Sequence, residues 1–167
     1  MRAHKVIVFV FIDGVESEKF LDAQDSIPVT PVSSPNHQWH PPGAQIFKAN
    51  FDTTVFKSCN LGGIGVIIWD WRGEAIGALT MSVPLPQSVI EFEALACQWV
   101  VQFAMEIGLT EVIFEGDSVM VIQAISQGTS DFSAYGHIIE DIRSQAAAFQ
   151  FSVFCHASRN CNIVADT

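Results

Sequence analysis

Four acidic residues, Asp52, Glu93, Asp117 and Asp166, stand in four different kinds of local sequence and could together bind hard cations. Phe51-Asp52-Thr53 falls late in an alternating strand pattern, Glu93-Ala94-Leu95-Ala96 on a helix, Glu115-Gly116-Asp117-Ser118 just after a strand, and Val164-Ala165-Asp166 near the end. Carboxylates that are far apart in the chain but near element ends can meet in space. Such a cluster repels itself unless protons or cations neutralise it. Oxygen donors suit Mg²⁺ or Mn²⁺, and paired ions of this kind promote phosphodiester hydrolysis. Three of them, and His156 near the last, also have a plainer reading. Asp117 before Ser118 could cap a helix, Asp52 could be an exposed strand-end residue, Asp166 a helix-surface residue and His156 an ordinary loop histidine.

The elements that must position these groups can be read from periodicity. From Gln45 the pattern has period two, with Phe47, Ala49 and Phe51 on one side and Lys48, Asn50 and Asp52 on the other, which predicts a strand with Asp52 towards its far end. Residues 62–70 and 74–83 predict two more strands joined by a turn at Arg72-Gly73, giving an antiparallel meander. Ser88-Val89-Ile90-Glu91 matches a capping box. Ile90, Ala94, Cys97, Val101 and Ala104 then recur at helical spacing up to Gly108. Glu91 thus has a structural job, and Glu93 among apolar neighbours is the better candidate for chemistry. Residues 111–114 predict a fourth strand, Ser118 begins a second helix, and Ser133 caps a third with Ile138, Ile139, Ile142 and Ala146 inward. Residues 149–155 predict a fifth strand with Phe149, Phe151, Val153 and Cys155 inward, then a loop from His156 and a last helix from Ile163 that the chain leaves incomplete. A mixed α/β sheet flanked by helices follows. In such sheets ligands meet strand ends.

Composition bounds the partners. The 167 residues suffice for one domain plus an extension, and 49% hydrophobic content with 13 Phe, read mostly as core, argues against disorder. Eight basic against 18 acidic residues leave a charge of −10, which opposes nonspecific attraction to polyphosphate. Residues 1–38, with Pro28, Pro31 and Pro35 in a serine-rich stretch, read as a poorly ordered extension or linker. Within it residues 6–12 read as a strand or an apolar scrap, since Asp13, Glu16 and Glu18 follow and no cleavage pattern marks a signal peptide. No run approaches the roughly 20 apolar residues of a membrane span. Cys59, Cys97, Cys155 and Cys161 lack CxxC spacing and read as free thiols in a reducing, intracellular setting. Trp39, Trp69, Trp71 and Trp99 read as packing residues rather than base-stacking platforms.

The succession of motifs is similar to a known family. Trp39-His40-Pro41-Pro42-Gly43 leads to Lys48-Ala49-Asn50-Phe51-Asp52; Gly62-Gly63-Ile64-Gly65-Val66-Ile67-Ile68-Trp69-Asp70 and Glu91-Phe92-Glu93-Ala94-Leu95-Ala96 follow. Phe114-Glu115-Gly116-Asp117-Ser118 and His156-Ala157-Ser158-Arg159-Asn160-Cys161-Asn162-Ile163-Val164-Ala165-Asp166 complete the set. Over residues 39–167 the chain resembles the ribonuclease H fold, in particular the plant ribonuclease H type-1 or reverse-transcriptase-like group derived from non-LTR retroelements. That resemblance implies a ribonuclease H-like α/β fold: a five-stranded mixed sheet, three antiparallel strands and then parallel additions, flanked by helices, with the last helix truncated. It implies cleavage of the RNA strand of RNA–DNA hybrids with two Mg²⁺ ions, or Mn²⁺, and a monomer is expected. Asp52 would reach both ions, Glu93 and Asp117 would help hold one, and Asp166 the other. His156 would assist proton transfer or product release from a flexible loop, and Asn162 matches a family asparagine.

Departures from the family pattern define the competing reading. Thr53-Thr54 stands where a small Gly or Ala usually follows the first Asp, and Asn160 replaces a usual Glu. Lys48, Lys57, Arg72, Arg143 and Arg159 are scattered rather than gathered into a basic grip. These features fit a catalytically silent remnant that serves as a binding or interaction module. A proofreading exonuclease or integrase fits the motif order less well.

Overall fold

The computed structural model describes residues 7–12, 15–20, 45–128 and 133–157. Its elements in chain order are strands β1 (Ile7–Ile12), β2 (Val15–Phe20), β3 (Phe47–Phe56), β4 (Leu61–Trp69) and β5 (Ala75–Pro84), helix α1 (Val89–Glu106), strand β6 (Glu111–Gly116), helices α2 (Val119–Gln127) and α3 (Ala134–Ala146), and strand β7 (Phe151–His156). The five expected strands form a mixed sheet in the order β5-β4-β3-β6-β7. β3, β4 and β5 are antiparallel neighbours, while β6 joins β3 and β7 joins β6 in parallel. Two further strands from within residues 1–38 extend it: β1 runs parallel to β5, and β2 pairs antiparallel with β1. The expected last helix, with Asn162 and Asp166, lies outside the described residues.

Helix boundaries follow their caps. Ser88 Oγ accepts from the Glu91 amide at 3.2 Å and Ser133 Oγ from the Gly136 amide at 3.3 Å. Gly108 at φ +82° accepts no Cβ without strain and lets the chain leave α1. α1 lies on β3, β4 and β6, α2 lies on β7, and α3 packs on α1 and α2. Being covered by sheet on one side and helix on the other, α1 buries more than the expected stripe: Phe92, Ala96, Val100 and Phe103 are buried together with Ala94, Cys97, Val101 and Ala104.

Four expectations need correction. Asp52 is not near the end of its strand, because β3 runs on to Phe56 in an antiparallel hairpin with β4. The parallel partner β6 pairs only with residues 47–50, so Asp52 sits just past the last β3–β6 pair, Asn50↔Glu115. His156 is the last residue of β7, opposite Gly116, rather than part of a loop. The inward face of β7 is also the reverse of the expected one. Gln150 and Phe151 both donate their amides to the Thr110 carbonyl, at 2.9 and 3.1 Å, and the alternation slips by one residue there. Phe149 stays buried and edge-on to Phe114, Phe154 stacks on Phe114 at 4.9 Å, and Phe151 and Val153 remain 40% and 36% exposed. Phe56, also read as core, is exposed on the β3–β4 hairpin.

Two glycines set how closely the layers meet. A Cβ on Gly116 would lie 2.4 Å from Phe51 Cζ, and one on Gly62 would lie 2.4 Å from Phe92 Cζ. Phe51 is fully buried and has nowhere to retreat. Gly116→Ala is therefore expected to lower unfolding stability by about 1–3 kcal/mol through overpacking, as measured by urea denaturation; an unchanged midpoint would contradict the contact.

Candidate metal centre

Three of the four acidic residues meet. Carboxylate oxygens of Asp52, Glu93 and Asp117 all lie within 4.8 Å of one another. β3 supplies Asp52, which is 3% exposed. The Ser88 cap starts α1 so that Glu93 falls in its second turn, and the Phe92 ring seated over Gly62 holds that end of the helix on the sheet. β6 ends at Gly116 under the Phe51 ring, which delivers Asp117 next to the other two.

The helix-cap alternative for Asp117 is resolved by geometry. Ser118 is the N-cap of α2, and its Oγ accepts from the Val121 amide at 3.4 Å. Asp117 stands one residue before the cap, near the positive end of the helix, where a negative charge is favoured. The adjacent acid, Glu115, is drawn to other partners. Its Oε1 pairs with Lys48 Nζ at 2.9 Å, and its Oε2 accepts from Asn50 Nδ2 at 3.0 Å. Lys48 and Asn50 were expected on the polar side of β3, and both are buried there. No local signal in the sequence marked this network, since the parallel β3–β6 register that sets Glu115 opposite Asn50 joins segments 65 positions apart.

Within the cluster, Asp52 Oδ1 accepts from the Thr53 amide at 2.8 Å, and the Thr53 hydroxyl donates to Glu93 Oε1 at 2.5 Å. Nothing in the local sequence marked Thr53 as a partner of Glu93, since the bond spans 40 positions. His156 Nε2 lies 3.1 Å from the Asp117 carbonyl oxygen, which places its ring at the edge of the cluster. One helical turn beyond Glu93, the Cys97 thiol is pushed far up, first by burial and then by the Glu93 charge. It stays a thiol in the fold, whereas an unfolded chain loses that proton near pH 8.5. Stability from this group is thus complete below that pH and declines above it.

Among the described residues the donor set is all carboxylate oxygen, which fits a hard divalent cation. Two like charges 4.8 Å apart repel by about 1 kcal/mol in bulk water and about 3 kcal/mol at an effective dielectric near 20.

Comparison with known proteins adds the family. The reverse transcriptase-like family matches residues 50–167, which include all four acidic candidates. The chain belongs to the reverse transcriptase-like family. No curated protein sequence matches it. Among solved structures, a type 1 ribonuclease H from the halophilic archaeon Halobacterium salinarum superposes with a TM-score of 0.65 at 17% identity, over 72% of this chain and 92% of that one. The N-terminal ribonuclease H domain of a Mycobacterium tuberculosis protein, solved as a maltose-binding-protein fusion, gives 0.63 at 16% identity, over 72% and 88%. A type 1 ribonuclease H isolated from compost, solved in complex with an RNA/DNA hybrid, gives 0.62 at 18% identity, over 72% and 91%. The reverse transcriptase-like domain thus has the ribonuclease H fold.

The two roles weighed for Asp117 predict opposite signs. In this reverse transcriptase-like domain, with chelator present, Asp117→Asn should raise the thermal midpoint by relieving repulsion, whereas Ser118→Ala should cost about 1 kcal/mol as a lost cap. Destabilisation by Asp117→Asn in calorimetry would return Asp117 to a structural role.

Proposed function

We propose that this domain hydrolyses the RNA strand of RNA–DNA hybrids using divalent cations, Mg²⁺ or Mn²⁺, held by Asp52, Glu93 and Asp117. The convergence of these three carboxylates within 4.8 Å carries the reading. Membership of the reverse transcriptase-like family supports it, as does the shared fold with a ribonuclease H solved on an RNA/DNA hybrid. Bound there, paired cations would lower the pKa of a water and stabilise the departing oxygen.

The chain's own residues do the rest. Asp52, between the other two elements and buried, is suited to serve both ions, while Glu93 and Asp117 flank it from α1 and the end of β6. Asp166 is proposed as the fourth ligand on the strength of the family motif, and it lies outside the described residues. His156 sits at the rim, with one ring nitrogen on the Asp117 carbonyl and the ring exposed, where it can pass a proton between solvent and the reacting groups. The two strands of a hybrid differ by the 2′-hydroxyl, and that chemistry directs cleavage to the RNA strand.

Purified full-length protein with Mg²⁺ or Mn²⁺ should cleave a labelled RNA–DNA hybrid and stop on addition of EDTA. Asp52→Asn should lose at least about 100-fold in rate, the upper end of what losing even an outer-shell partner costs. Wild-type rates from Asp52→Asn would refute the assignment. Hybrid binding without cleavage by the wild-type chain would favour the silent binding module instead.

A further inference from the structure

Thr53 stands between two of the clustered carboxylates and donates a hydrogen bond to each. Its backbone amide reaches Asp52 Oδ1 at 2.8 Å, and its hydroxyl reaches Glu93 Oε1 at 2.5 Å. An O–H···O⁻ contact of that length belongs to the charge-assisted class, about twice as strong as a neutral bond. The side chain is buried, and a β-branched residue in a strand has little χ1 freedom, so the hydroxyl is held in place. A glycine or alanine here would keep the amide bond to Asp52 and lose the bond to Glu93. Glu93 has a longer side chain than either aspartate and one more torsion to immobilise before it can serve as a ligand.

We infer that Thr53 is a positioning residue for the metal centre: its hydroxyl fixes the Glu93 carboxylate against Asp52 and Asp117, so that divalent cations meet a preformed donor set. This rests on the metal-binding reading above. The general behaviour of metal sites supports it, since groups that hydrogen-bond to ligating carboxylates orient them and set affinity. Glu93 is tied to the strand that carries Asp52, so the ligands from α1 and β3 are registered by one residue rather than by helix packing alone.

The test compares Thr53→Val, which keeps the shape and the amide but removes the hydroxyl, with Thr53→Ser, which keeps both donors. Mn²⁺ binding to the full chain would be followed by the electron paramagnetic resonance of free Mn²⁺, with unfolding midpoints in EDTA measured in parallel. Thr53→Val should bind Mn²⁺ about 10- to 100-fold more weakly than wild type, and Thr53→Ser should stay within about threefold of wild type. Equal affinity for wild type and Thr53→Val would overturn the inference, even if the valine form melts earlier. So would an equal loss in both variants. Asp52→Asn separates the two levels of failure. If wild type binds Mn²⁺, Asp52→Asn abolishes it and Thr53→Val leaves it intact, only the role of Thr53 falls. If wild type binds no Mn²⁺, the metal centre falls with it.

Discussion

Three carboxyl groups of one sign are held close together by the fold against their mutual repulsion. What overcomes their repulsion is the pairing of β3 with neighbours on both sides and the seating of two phenylalanines on glycines. β4 and β6 fix the strand that carries Asp52. Phe92 over Gly62 presses the start of α1 against the sheet, and Phe51 over Gly116 brings the end of β6 beneath it. Both contacts are apolar and insensitive to charge, so the scaffold can force a polar arrangement that the polar groups themselves oppose.

The electrostatics is partitioned rather than uniform. Glu115 and Asp117 are two residues apart, yet one is paired with Lys48 and hydrogen-bonded by Asn50 while the other joins the cluster. Had Glu115 been left without its lysine, a fourth negative charge would stand beside the site. The buried ion pair thus limits the charge that the cluster must carry. Its own desolvation is offset by two partners instead of one.

Much of the fold was legible in the sequence because it is written in local chemistry. Ser88 and Gly108 bracket α1, Ser133 starts α3, and alternation marks β3 to β5, since each of these signals acts over a few residues. That Asp52, Glu93 and Asp117 would meet was legible because their motifs occur in family order. What escaped depended on contacts between distant segments. β1 pairs with β5 across some seventy positions, Thr53 finds Glu93 across 40, and the slip at Gln150 and Phe151 depends on the Thr110 carbonyl. Asp52 was placed at a strand end because alternation fades after it. In fact it is β6, an element contributed from much later in the chain, that stops there.

The domain also spends its positive charge internally. Lys48 is bound to Glu115, Arg72 to Asp70, and Arg143 Nη1 donates to the Ile125 carbonyl at 2.6 Å, where it closes the end of α2 beside Gly128. Three of the four basic side chains in residues 45–157 are thereby engaged by the protein itself. A polyanion docking on this part of the molecule would displace few condensed counterions. Basic contacts from this part of the molecule would then add little to the salt dependence of its affinity.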